Sequence, residues 1–141
     1  MESDVSEMDD FNRKVIEEFR ANEGRVGGPF EGAPVLLLTS TGAKSGEQRT
    51  TPVVYQKDGD RMVIFASKAG APENPAWYHN LVANPTATVE VGPDTVEVEA
   101  IVAEGDERER LFSRQKELMP QFAEYEQKTT RQIPVVALQP K

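Results

Sequence analysis

Apolar positions along the chain follow two periods. Met8, Phe11, Val15 and Phe19 recur every three or four residues, which is one stripe of a helix. Ser6 with Asp9 is a candidate N-cap pair, and Gly24 is a stop. Residues 25–34 are rich in Gly and Pro and read as a linker that wraps the core through Val26 and Phe30. At Val35 the pattern shortens to period two or to continuous apolar runs, interrupted later by shorter helical stretches. Strands are predicted over residues 35–40, 49–57, 61–66, 86–91, 95–102 and 133–138.

The turns between them follow from composition. Asp58-Gly59-Asp60 and Gly92-Pro93-Asp94 are hairpin signals. Pro52 marks an edge or a bulge in the second strand. In residues 61–66, Met62, Ile64 and Ala66 alternate with Val63 and Phe65, so both faces are apolar and the strand is central. Glu97 and Glu99 share the solvated face of the fifth strand.

Asn74-Pro75 predicts a helix start, with Asn as N-cap, and Asn84-Pro85 its end. Trp77 shares a face with Asn80 and Leu81. At that spacing a Trp belongs to a core more often than to a cofactor wall. Asp106 is the expected cap of a charged helix that buries Leu111, Phe112, Gln115 and Leu118. Pro120 interrupts it, and a shorter helix carries Phe122 and Tyr125. Helical crossovers are too few for a doubly wound sheet. The expectation is a single α+β domain, a barrel of about six mostly antiparallel strands with peripheral helices. Residues 1–24 would be the N-terminal helix, 25–34 the linker and 35–141 the barrel.

Composition narrows the chemistry. The 141 residues contain no cysteine, which excludes disulfides and thiolate sites and fits a reducing, cytoplasmic setting. No secretory signal pattern and no apolar run of membrane-spanning length is present. His79 is the single histidine, so neither a metal site nor a catalytic dyad is expected. The net charge of −8 argues against nucleic acid. It also suits a high-salt host. A membrane-surface role for the first helix has little support, because its polar face is rich in Asp and Glu.

The charge is uneven. Residues 41–68 carry five bases against three acids, and they are the one net-positive block. At its centre the sequence VLLLTSTGAKSGEQRTTP places Gly42, Lys44, Ser45, Gly46 and Arg49 between two strands. Glycines there would let backbone N–H groups approach an anion. Ser45, Thr50 and Thr51 add hydroxyls, and Lys44 and Arg49 add charge. The spacing differs from the phosphate loop GxxxxGK[ST]. A second small-residue loop, Ser67-Lys68-Ala69-Gly70-Ala71-Pro72, adds another lysine.

The run LTSTGAKSGEQRTTP resembles the signature of the deazaflavin-dependent nitroreductase family. The resemblance continues through DGDRMVIFASKAG, NPAWYHNLVANP and Arg131-Gln132-Ile133-Pro134, and covers residues 33–140. It implies a split β-barrel that binds the 8-hydroxy-5-deazaflavin coenzyme, coenzyme F-420. By resemblance, Lys44, Ser45 and Arg49 receive the coenzyme's phosphate and oligoglutamate tail, and Lys68 reaches the same part. Thr51, Pro52, Ala66, Ser67 and Ala69 would pack along the ring, with Trp77 and Asn80 walling the pocket.

The resemblance also implies a reaction. The coenzyme transfers a hydride to a small organic electron acceptor, and the protein orients the ring and polarises the acceptor. Ser67 is the implied polarising hydroxyl. Tyr125 is the next candidate, as a pocket wall and proton donor. Met119 and Phe122 stand where nitroimidazole-activating members carry tyrosines, which favours a quinone or conjugated enone over a nitroimidazole. A flavin mononucleotide (FMN) enzyme on the same fold, and a non-catalytic coenzyme carrier, are the alternatives. A homodimer is a further expectation.

Overall fold

Strand alternation sorts the side chains into two layers. The computed structural model describes residues 13–26, 34–67 and 74–141. Among the described residues there are six strands: β1 (Val35–Thr41), β2 (Gln48–Asp58), β3 (Arg61–Phe65), β4 (Thr86–Val91), β5 (Asp94–Val102) and β6 (Val135–Pro140). They pair antiparallel in the order β1-β2-β3-β6-β5-β4, and β4 pairs back onto β1 to close a barrel. Four helices surround it: α1 (residues 13–21), α2 (Ala76–Ala83), α3 (Gly105–Leu118) and α4 (Gln121–Lys128). Closure leaves no free sheet edge along the paired stretches.

Leu36, Leu38, Met62, Ile64, Val89 and Leu138 pack together in the interior, joined by Trp77 and Leu81 of α2. The alternate residues Val63, Phe65, Val135 and Ala137 face outward under Leu111, Phe112 and Phe122 of α3 and α4. β3 is therefore covered on both faces, as its pattern predicts. Val35 and Leu37 lie under Phe19 of α1. Burying each such side chain contributes about 1.5–3 kcal/mol.

The stop at Gly24 is real. Its N–H bonds the Phe19 carbonyl at 2.8 Å and its φ is +98°. A Cβ there would meet Gly92 Cα at 2.7 Å, so the end of α1 sits directly on the β4–β5 turn. Arg20 donates to both Glu90 carboxylate oxygens, at 3.0 and 2.8 Å, and pins the same contact. Ser6, Met8, Asp9, Phe11 and Phe30 lie outside the described residues.

Several expected details change. Asn74 is not the cap of α2. Pro75 holds that position, and the Asn74 side chain accepts a bond from Arg131 instead. α3 starts at Gly105 with Glu104 at its cap, and Asp106 lies in the first turn. Leu118 is 57% exposed, because α3 ends there and Met119 turns inward onto the core. Arg108 is the unexpected buried residue of α3. Its guanidinium lies 4.7 Å from the Phe112 ring centre and donates to the Ile133 carbonyl at 2.8 Å. With Ile133 and Pro134 bonded outside the ladder, β6 begins only at Val135. β3 ends at Phe65, not residue 66.

Candidate functional site

β2 is eleven residues long and β3 only five. Tyr55 pairs with Ile64, and Asp58 with Arg61. The stretch 48–54 of β2 is therefore held by β1 on one side and overhangs β3 on the other. At about 3.3 Å per residue this overhang runs roughly 20 Å. Pro52 sits in it, where a missing N–H costs least, in agreement with the edge reading. Arg49 and Thr51 also belong to it. At its far end is the turn carrying Lys44 and Ser45; where β3 stops are Ala66 and Ser67.

The turn is held by its own backbone. Gly42 N–H bonds the Glu47 carbonyl at 2.7 Å, Gly46 N–H bonds the Gly42 carbonyl at 3.1 Å, and Glu47 N–H bonds Ser45 Oγ at 3.1 Å. Ala43 N–H is taken by Asn80 Oδ1 of α2, at 3.0 Å. The N–H groups of both glycines are thus committed within the turn. Gly46 is there for its φ of +74°, and Gly42 because a Cβ would meet Ser45 Oγ at 2.6 Å. Groups left for an anion are the N–H of Lys44 and Ser45, the Ser45 hydroxyl proton, and the two cations. Lys44 makes no hydrogen bond or ion pair among the described residues. Arg49 lies 3.8 Å from the exposed Glu47 carboxylate, a weak pair.

The other end is buried. Ser67 is 7% exposed and Ala66 is fully buried. Ala66 N–H bonds the Pro134 carbonyl at 2.9 Å. Arg131 donates to the carbonyls of Ala66 and Ser67, at 3.1 and 2.9 Å. Lys68 and Ala69 lie outside the described residues. Trp77, 8% exposed, packs in the barrel interior, and Asn80 holds the turn. Tyr125 is half-buried, its ring 5.2 Å from Phe122, which in turn lies 5.8 Å from Phe65. The phenol thus belongs to the aromatic cluster packed on the last residue of β3.

Two clefts have volumes of about 330 and 320 Å³, one beside β1 and β4 that reaches Gln48 at the start of the overhang and one around Asn74, Tyr78 and Arg108. Neither is lined by Lys44, Arg49 or Ser67. Arg131 and the latch role of Asn80 escaped the residue-by-residue reading. Local periodicity carries no sign of either. Gln56 was missed too: it is 2% exposed and donates to the Leu111 carbonyl and Gln115 Oε1, tying β2 to α3.

Residues 11–140 match the model of the F420H2-dependent quinone reductase family. An F420H2-dependent quinone reductase of Mycobacterium tuberculosis (strain ATCC 25618 / H37Rv) is 42% identical over 124 residues, 85% of this chain and 83% of the relative. The solved F420-H2 dependent reductase FDR-A is 40% identical with a TM-score of 0.70, over 75% of this chain and 94% of that one. A structure described as a domain-swapped dimer is 36% identical with a TM-score of 0.72, over 90% of this chain and 96% of that one.

Proposed function

The chain belongs to the F420H2-dependent quinone reductase family and is a coenzyme F-420-dependent oxidoreductase, and from that premise we propose that it reduces a quinone along the β2 overhang. The overhang carries the reading, because one strand edge runs from an exposed pair of cations to a buried hydroxyl. The donor set suits this coenzyme. Lys44, Arg49 and the Ser45 hydroxyl match a phosphate and a polycarboxylate tail, and Thr51, Pro52 and Ala66 are small enough to let a flat ring lie close. When bound in its reduced form, the coenzyme supplies the hydride.

The remaining work falls to the protein. Lys44 and Arg49 bind the charged end. Buried Ala66 and Ser67 hold the reacting end away from bulk water. Ser67 donates its hydroxyl proton in a hydrogen bond to the acceptor oxygen, which gains negative charge as reduction proceeds. Tyr125 is the reserve proton donor. Among the described residues no helix is long and apolar enough to cross a membrane. The cysteine-free composition suits a cytoplasmic enzyme, and the domain-swapped relative supports a homodimer.

The test is a titration of oxidised and reduced coenzyme F-420 into the full chain, followed by acceptors on the same preparation. A simple naphthoquinone should restore the oxidised coenzyme's visible absorbance catalytically, faster than a nitroimidazole does. Binding without turnover on any quinone or enone would leave a coenzyme carrier and sink this reading.

A further inference from the structure

Building on the reading of Ser67 as the group that meets the acceptor, we propose that Arg131 is the positioning residue of the reacting end of the site. Arg131 lies between α4 and β6, 57 to 65 residues along the chain from the groups it holds. Nη1 donates to the Ala66 carbonyl at 3.1 Å and to Asn74 Oδ1 at 2.7 Å; Nη2 donates to the Ser67 carbonyl at 2.9 Å. One guanidinium therefore joins the residues that precede and follow the 68–73 segment.

The ladder between β3 and β6 ends at Phe65 and Val135. Beyond it, residue 66 is gripped from both sides by the same segment: its N–H by the Pro134 carbonyl and its carbonyl by Arg131. Arg131 and Pro134 thus extend the hold on β3 to the residue that carries the hydroxyl. The geometry demands a planar fork. Two successive carbonyls and an amide oxygen are met at once by rigidly spaced donors, which a lysine ammonium cannot reproduce. The charge also acts through the peptide. A cation on the Ala66 carbonyl draws electron density from the Ala66–Ser67 amide and makes the Ser67 N–H a stronger donor. Arg131 touches neither coenzyme nor acceptor in this account; it fixes the backbone from which Ser67 reaches.

Four forms of the full chain test it: Arg131→Lys, Asn74→Ala, Ser67→Ala and the Arg131→Lys/Ser67→Ala pair. Hydrogen exchange on the coenzyme-free protein comes first. In Arg131→Lys, peptides spanning residues 66–74 should exchange roughly fivefold faster or more, while the 42–49 turn stays within about twofold. Asn74→Ala, which removes one arm of the clamp, should produce a smaller change in the same peptides. Turnover is then measured with saturating reduced coenzyme F-420 and a naphthoquinone. Arg131→Lys should lower it roughly tenfold with coenzyme affinity within about threefold. In the Ser67→Ala background the same substitution should cost no more than about twofold, because the group being positioned is gone. Unchanged exchange across residues 66–74 would overturn the proposal, as would fully additive losses in the pair. Should the parent chain reduce no quinone, the acceptor reading falls, and the exchange comparison still decides whether Arg131 is the clamp.

Discussion

Lys44 and Ser67 stand at two ends of one strand edge, and they are held in opposite ways. Lys44 rides an exposed turn whose Gly42 and Gly46 amides are taken by its own carbonyls and whose Ala43 amide is taken by Asn80. Ser67 is 7% exposed at the exit of a strand buried on both faces, gripped by a residue from a distant segment. The difference suits the two tasks proposed for them. Charge attraction falls slowly with distance, so an anion can be received by long side chains that stay in water. Polarising one oxygen depends on ångström-scale placement and on exclusion of water, which a strand end supplies better than a turn. On the proposed reading the chain separates tethering from chemistry, and the two ends should respond differently to mutation.

The sharpest way to break that separation is Ser67→Ala. Losing one donor to a developing oxyanion should lower turnover roughly tenfold to a hundredfold, less than in a fully closed site. Coenzyme affinity should scarcely move. Wild-type turnover on an acceptor that the parent reduces would remove Ser67 from the mechanism.

Arg49→Ala should do the reverse. A charged hydrogen bond is worth roughly 1.5–3 kcal/mol, so coenzyme binding should weaken about tenfold or more while turnover at saturation holds. The effect should shrink in high salt, because the residue is exposed. A titration at low ionic strength that finds unchanged affinity would disconnect the cationic turn from the coenzyme.

Asn80→Ala joins the two ends, since α2 contributes both the latch on Ala43 and the interior residues Trp77 and Leu81. Losing this part-buried hydrogen bond should cost about 0.5–1.5 kcal/mol of stability. Coenzyme affinity should drop several-fold through a loosened turn. Thermal unfolding with and without coenzyme measures both parts.

The far end of the barrel supplies a control. Arg61 first, and Arg110 next, hydrogen-bond Asp58 and hold its carboxyl below the usual 3.8. A carboxylate lowered in the fold stabilises above its unfolded value, and that contribution is lost as pH falls through the lowered one. Asp58→Asn should therefore cost about 1 kcal/mol or less at neutral pH, and the difference should vanish in strong acid. Melting temperature against pH reads this directly, and catalysis should not change.

The smallest effect is expected from Glu47→Gln. Removing the carboxylate 3.8 Å from Arg49 should tighten coenzyme binding by about twofold, the scale of an exposed pair. Weaker binding would mean that Glu47 organises Arg49 instead of competing for it.

The division between what was legible and what was not follows the same line. Alternation in Met62–Phe65 was enough to identify a strand covered on both faces, and the spacing of Trp77 and Leu81 was enough to turn that side of α2 inward. The cation cluster at Lys44 and Arg49 was equally plain, since composition within a few residues defines it. These are local properties: side-chain period and charge depend on near neighbours. The family resemblance added roles to Ser67 and Thr51 that periodicity alone could not.

Tertiary structure decided the rest. The closure of β4 onto β1, the overhang left where β3 stops short, and the use of the turn's amides all depend on register. The Asn80 latch, the Arg131 clamp and the burial of Arg108 and Gln56 each join groups tens of residues apart. A polar side chain reads as a surface residue until folding brings it an acceptor from elsewhere in the chain. Burial of such a group is favourable only once that partner is in place, so the pairing is a property of the packed molecule and leaves no local trace.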